Sequence, residues 1–208
     1  MTTPTGRHPG LDAGSTIKPR LVLASASPRR IDLLSRIGIV PDAVIPSDVD
    51  ESVPKGELPR VHALRLAREK AEAIALREPE ALVLAADTVV AVGRRILPKV
   101  EDEATLRACM KLLSGRRHRV LTGVALARSG QPTRSRLVET IIAMKPLSPE
   151  EIDYYASHGE WRGKAGGYAL QGYGEVYVRH ITGSYSNVVG LPLAETRLLL
   201  KSAGYSIA

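Results

Sequence analysis

Three stretches of the sequence bring together residue types that could handle a phosphorylated ligand. In the first, Ser25-Ala26-Ser27-Pro28-Arg29-Arg30 follows the apolar run Leu21–Ala24. Ser27 suits a helix N-cap and Pro28 a first helical position. Amides and hydroxyls at such a junction can hold phosphate oxygens, and two arginines can clamp them. Capping explains the serines but not both arginines, which oppose the helix dipole unless an anion binds. In the second stretch, Asp87 stands directly after the apolar run Ala81–Ala86. A carboxylate at a strand end could hold a divalent cation or activate water; a turn-capping aspartate is the plainer alternative. The third runs from Gly163 to Gly174 and holds Lys164 and Gln171 among glycines that allow close backbone approach to a ligand. It is neither a Walker loop nor a complete dinucleotide fingerprint, and a structural turn would explain it too. Lys70, Lys99 and the acidic pair Asp50-Glu51 read individually as solvated charges and gain interest only as a set.

These groups need elements to position them. Leu21–Ala24 reads as a buried strand and Pro28 to about Gly38 as a helix with its stop. Ala43–Pro46 reads as a second strand, followed by the acidic loop Ser47–Ser52. Pro59–Arg77 reads as a long helix with Leu64, Ala67, Ala71 and Ile74 on one stripe; Lys70 lies beside that stripe, aimed along the sheet edge. Ala81–Ala86 reads as a strand running straight into Asp87-Thr88, Val89–Val92 continues it to a turn at Gly93, and Asp102–Leu113 is a helix. Val120–Ala127 and Leu137–Ala143 suit a hairpin around Ser129-Gly130. Pro149–Ser157 reads as helix, Tyr173–Ile181 as strand and Ala194–Ala203 as the last helix. Strands and helices alternate without clear linkers, which points to one α/β unit, residues 20–208, behind a disordered arm of residues 1–19.

Composition narrows the classes. The 208 residues suffice for a substantial core, and a single cysteine, Cys109, excludes a disulfide framework. The net charge of +7 favours acidic partners. Aromatics at 4%, with no phenylalanine, argue against stacking platforms for single-stranded nucleic acid. Histidines lack ligand spacing, and Arg116–Arg119 reads as an exposed loop and strand start. No apolar run is long enough to span a membrane and no secretory signal is visible, so the expected location is cytoplasmic.

In order along the chain, Ser25–Arg30, Arg65-Leu-Ala-Arg-Glu-Lys-Ala71, Ala86-Asp87-Thr88, Leu112–Gly115, Gly163–Gly166, Gln171-Gly172 and Val189–Pro192 resemble the motif set of Maf-type nucleoside triphosphate pyrophosphatases. The resemblance runs from about Leu21 to Leu200. It implies an α/β fold of the inosine-triphosphate-pyrophosphatase type: a long mixed sheet flanked by helices, bilobed with a central cleft. It further implies hydrolysis of a nucleoside triphosphate to the monophosphate and pyrophosphate, with Mg²⁺ or Mn²⁺. By position, Asp87 matches the proton acceptor, and Ser25, Arg30, Glu51, Lys70 and Lys99 the polar site set. Asp87 and Glu51 are the implied metal ligands, although Asp50 could replace Glu51, and Pro98-Lys99-Val100 departs from the usual Gly-Lys-Pro. Lys164 joins the substrate-binding set.

Arg29, Thr88 and Gln171 resemble the branch acting on dTTP and UTP. A glutamine amide offers one donor and one acceptor, matching O4 and N3–H of the pyrimidine. Two alternatives stand beside this one: a pyrophosphatase for 7-methyl-GTP or another modified purine nucleotide, and a non-catalytic nucleotide- or RNA-binding regulator. A homodimer is implied by the resemblance; a membrane or an obligate nucleic-acid partner is not expected.

Overall fold

The computed structural model describes residues 19–207. Nearly all of the arm expected to be disordered therefore lies outside the described residues. The chain begins with β1 (Leu21–Leu23), α1 (Pro28–Ser35), β2 (Ala43–Val44), α2 (Pro59–Arg77) and β3 (Leu82–Val92). It continues with β4 (Arg95–Leu97), β5 (Lys99–Val100), α3 (Glu103–Leu113), β6 (Arg117–Ala127), β7 (Arg134–Met144), α4 (Pro149–His158) and β8 (Lys164–Ala165). A 3-10 helix (Tyr173–Tyr177), β9 (Val178–Thr182), α5 (Tyr185–Val189) and α6 (Leu193–Ser202) complete it.

The sheet is mixed, in the order β2-β1-β3-β6-β7-β9, with β4 also on β3 and a separate β5–β8 pair. Only β2–β1 and β1–β3 are parallel; β3, β6, β7 and β9 run antiparallel. The apolar runs in β1 and β3 arise because both faces of the sheet are covered. Val22, Val83 and Ala85 pack with Ala67, Ala71 and Ile74 of α2 on one face. Leu21, Leu23, Leu82, Leu84 and Ala86 face the opposite layer, with Leu33 and Leu34 of α1 and Leu199 and Leu200 of α6. At the other end, Val90, Val120 and Ile142 pack against Leu106 and Leu113 of α3 and Tyr155 of α4.

One close approach sets the depth of this packing. A Cβ on Gly123 of β6 would lie 2.3 Å from the Ala63 carbonyl oxygen of α2. Glycine there lets the helix settle directly on the strand. Because Gly123 pairs with Asp87, the contact lies beside the candidate chemistry.

Several expectations need correction. Asp87 does not follow a strand; it lies inside the uninterrupted β3, where its charge is met by a lysine rather than by solvent. Lys70 does not run along the sheet edge, since its ammonium reaches the centre of β3. Tyr173–Ile181 is not one strand but a 3-10 helix followed by β9. The short α5 and the β4 return strand carried too weak a pattern to be read. Ser27 occupies the N-cap of α1 without a side-chain bond to the helix. Elsewhere the elements agree closely, including α2 at Pro59–Arg77 and the β6–β7 hairpin.

Candidate active site

Strand β3 presents one edge to two different partners. Leu82–Leu84 pair with β1, and Val90–Val92 pair with β4. Between them the edge has no strand neighbour, and this interval contains Asp87 and Thr88. A cleft of about 470 Å³ opens there, between the Ser25–Arg30 junction and the Lys99 and Lys164 segments. Alternation along β3 places Asp87 on the α2 face and Thr88 on the opposite one. Polar groups from both faces of the sheet therefore meet in one opening.

On the α2 face, Lys70 is buried, and its Nζ lies 2.6 Å from Asp87 Oδ1 and 2.6 Å from Glu51 Oε1. Glu51 also pairs with Lys99 through its second oxygen. Partial burial opposes ionisation of Glu51, but bonds from Lys70 and Lys99 outweigh it and hold the carboxyl at about 2. Asp87 Oδ2 has no protein partner among the described residues. Asp50 lies outside the lining of the cleft and accepts bonds from the Ser52 amide and hydroxyl at 2.9 Å. The loop carrying Glu51 is tied to α2 through Arg65, which donates to the Ser52 carbonyl at 3.2 Å and to Glu57 at 2.7 and 2.9 Å.

On the other face, Arg30 is the organiser. Its Nε donates to the Gly190 carbonyl at 2.8 Å, Nη1 to Ser25 Oγ at 2.8 Å and Nη2 to Thr88 Oγ1 at 3.5 Å. Thr122 donates to the Asn187 carbonyl, which leaves Thr88 donating to Thr122 at 3.0 Å. Thr88 is thus oriented by a chain of bonds crossing from β3 to β6 and α5. Desolvation lowers the Arg30 guanidinium below its usual value, while Asp87 opposes that shift. The Arg29 guanidinium is lowered by burial as well.

Apart from Asp50, every residue singled out for site chemistry lines this one cleft: Ser25, Arg29, Arg30, Glu51, Lys70, Asp87, Thr88, Lys99, Lys164 and Gln171. Lys164 donates to the Glu160 carbonyl, and burial followed by the nearby Arg29 charge lowers its ammonium. Gln171 is exposed at the mouth of the cleft. Two lining residues were missed. Arg162 adds a further cation and stacks 4.4 Å over Trp161. Tyr168 backs the cleft and bonds His118 Nε2 at 2.7 Å. The Gly163–Arg162 neighbourhood offered a signal for Arg162, whereas the His118–Tyr168 contact joins residues far apart in sequence. Two of the glycines serve the protein rather than a ligand: Cβ atoms on Gly166 and Gly167 would press on Val90 and Val100 at 3.0 and 2.9 Å.

Arg29, Arg30, Lys70, Lys99, Arg162 and Lys164 face only Glu51 and Asp87, so the cleft carries a marked positive excess suited to a polyanion. The family described as Maf-like protein matches residues 20–203. The chain belongs to the Maf family. Among its relatives, the dTTP/UTP pyrophosphatase of Paramagnetospirillum magneticum is 60% identical over 186 residues, covering 89% of this chain and 98% of its own. That of Zymomonas mobilis is 58% identical over 188 residues, covering 90% and 93%. A solved HAM1 protein from Coxiella burnetii overlaps 88% of this Maf chain and 98% of its own at 14% identity, with a TM-score of 0.48. No helix among the described residues is long and apolar enough to cross a membrane.

Proposed function

We propose that this Maf protein hydrolyses dTTP and UTP between the α- and β-phosphates, releasing the monophosphate and pyrophosphate. The observation that carries this reading is the arrangement at the open edge of β3: two carboxylates converge on one buried lysine, inside a ring of cations sized for a nucleotide. Relatives of nearly equal length that bear the dTTP/UTP pyrophosphatase name support the substrate class.

Lys70, Lys99, Arg30 and Ser25 receive the phosphate oxygens and neutralise their charge. Substrate oxygens compete with Glu51 for Lys70 and Lys99, so binding exchanges an internal ion pair for a ligand ion pair. Asp87 Oδ1 is committed to Lys70. Its Oδ2 is left to take the proton of the attacking water. Fixed charges around a bound triphosphate supply most of the acceleration through positioning and electrostatics.

A divalent cation, Mg²⁺ or Mn²⁺, belongs to the same proposal. No group of three or more His, Cys, Asp or Glu capable of holding a metal occurs among the described residues. Two convergent carboxylates nonetheless fit a hard cation that takes its remaining ligands from substrate phosphates and water. Asp87 and Glu51 would hold it with the lone pairs not used on the lysines. When bound, it polarises the phosphoryl oxygens.

Residues 20–208 acting as a single bilobed domain, a homodimer and a cytoplasmic setting complete the reading; light scattering of the purified protein measures the dimer. Pyrophosphate release from dTTP, UTP, CTP, GTP and 7-methyl-GTP, with each metal, tests the function. Preference for dTTP and UTP supports it. Preference for a guanine nucleotide, or salt-dependent polynucleotide binding without turnover, overturns it.

A further inference from the structure

We propose that Glu160 is the positioning residue for base selection, acting through the backbone that carries Gln171. The proposal rests on the reading of Gln171 as the group that meets the base. Gln171 makes no side-chain bond within the described protein, so the reach of its amide is set by the backbone that carries it. That backbone is fixed on both sides. Before Gln171, the Ala169 amide donates to the Tyr155 hydroxyl at 3.2 Å, and the Ala169 carbonyl accepts from the Gly172 amide at 3.2 Å. After it, the Glu160 carboxylate accepts from the Tyr173 amide at 3.0 Å and from the Gly174 amide at 2.9 Å, one on each oxygen.

The carboxylate itself is rigidly mounted. Glu160 follows α4 by one turn residue, Gly159, and precedes Trp161, which is 1% exposed and donates its indole N–H to the Ala156 carbonyl of α4 at 2.9 Å. The fit around it is tight. A Cβ on Gly172 would lie 2.3 Å from Glu160 Oε2, so glycine at that position leaves room for the carboxylate. Tyr155 feels the same group: burial first, and then the Glu160 charge, pushes its hydroxyl up. The Glu160 carbonyl also receives Lys164. One residue thereby ties Lys164 and the turn carrying Gln171 to the same point of the chain.

The chemical need for such a device follows from the amide. A freely turning Gln171 can present its donor or its acceptor, and so can pair with thymine, uracil or cytosine. A fixed backbone does not stop that turn, so it does not choose among pyrimidines; it sets how far the amide reaches, and so whether a pyrimidine or a larger purine ring meets it.

The test compares Glu160→Gln, Gln171→Ala and the double variant in the full chain. Three quantities are read: the ratio of kcat/KM for dTTP over GTP, inhibition by inorganic tripolyphosphate, and the thermal midpoint. Glu160→Gln keeps one acceptor and turns the other into a donor facing an amide N–H. The expected result is an approximately tenfold fall in the dTTP/GTP ratio in each single variant, no further fall in the double, and unchanged tripolyphosphate inhibition. Gly172→Ala, which leaves Glu160 in place but displaces its carboxylate, should lower the ratio likewise and keeps the test open if Glu160→Gln does not fold. An unchanged ratio in Glu160→Gln, with a collapsed ratio in Gln171→Ala, overturns the proposal and leaves the role of Gln171 standing. A ratio unmoved by Gln171→Ala overturns the route through Gln171. Parallel losses of tripolyphosphate inhibition and thermal midpoint, at a constant ratio, would make Glu160 purely structural.

Discussion

Asp87 and Lys70 come from the middle of an 11-residue strand and a 19-residue helix packed face to face, whereas Lys164 and Gln171 come from a short two-residue strand and a turn. The first pair sits within long elements whose backbone hydrogen bonds continue before and after it along the chain, and α2 covers Asp87 at a depth set by Gly123. In the second pair, Lys164 is held by the short pairing of β8 with β5, while the turn carrying Gln171 depends chiefly on the Glu160 and Tyr155 side chains to hold its backbone. On the proposed function, the difference matches two tasks. Phosphate charge is common to all nucleotides and suits a rigid site, while base preference can change through a few loop positions.

The largest effect should come from the rigid wall. Asp87→Asn keeps the volume but loses charge and basicity, and turnover should fall by about 10²-fold or more while folding survives. Steady-state pyrophosphate release and circular dichroism melting check both parts. Gly123→Ala attacks the same wall through packing. Its Cβ meets backbone, which cannot swing aside, so a loss of roughly 1–3 kcal/mol in stability is expected, measured by urea unfolding.

The loop wall should respond in specificity rather than stability. Gln171→Glu removes the donor and sets a charge against O4, weakening dTTP and UTP turnover by roughly 1–3 kcal/mol of transition-state binding, with guanine nucleotides affected less. Equal losses for all bases would erase the contrast between the walls.

Acid should separate the walls most gently. His118, which bonds Tyr168 behind the loop wall, is held by burial at about 4, below its ordinary 6.5. Protonation therefore favours the unfolded chain, and stability falls as the pH drops from about 6.5 toward 4. Glu51 and Glu57 are both held at about 2 rather than 4.5. For Glu57 the Arg65 bonds are the main cause; for Glu51 the lysine bonds outweigh its burial. Their contribution is complete above about pH 4.5 and is lost on descent toward 2. The thermal midpoint should decline in that sequence, and His118→Gln should flatten the upper part of the curve.

The sequence was most legible where local pattern and tertiary role agreed. The stripe of α2 and the apolar run of β3 reveal themselves because a periodic face must be buried. The motif set likewise brought each candidate to one cleft. What stayed hidden depends on spatial pairing. Asp87 read as the end of a strand because an isolated charge should stop one; Lys70, 17 positions earlier, removes that reason. The interval between β1 and β4 that opens the cleft is a property of sheet order, to which no single residue points. Tyr173–Tyr177 has the aromatic and β-branched content of a strand, yet the Glu160 carboxylate and the Gly172 carbonyl draw it into a 3-10 helix.

The central claim concerns which bond breaks. Incubation of the full chain with dTTP and Mg²⁺, followed by ³¹P magnetic resonance of the products, reads this directly. Attack at the α-phosphate yields dTMP and pyrophosphate in equal amounts, both lost in Asp87→Asn. Accumulation of dTDP with inorganic phosphate would place the attack at the γ-phosphate and contradict it.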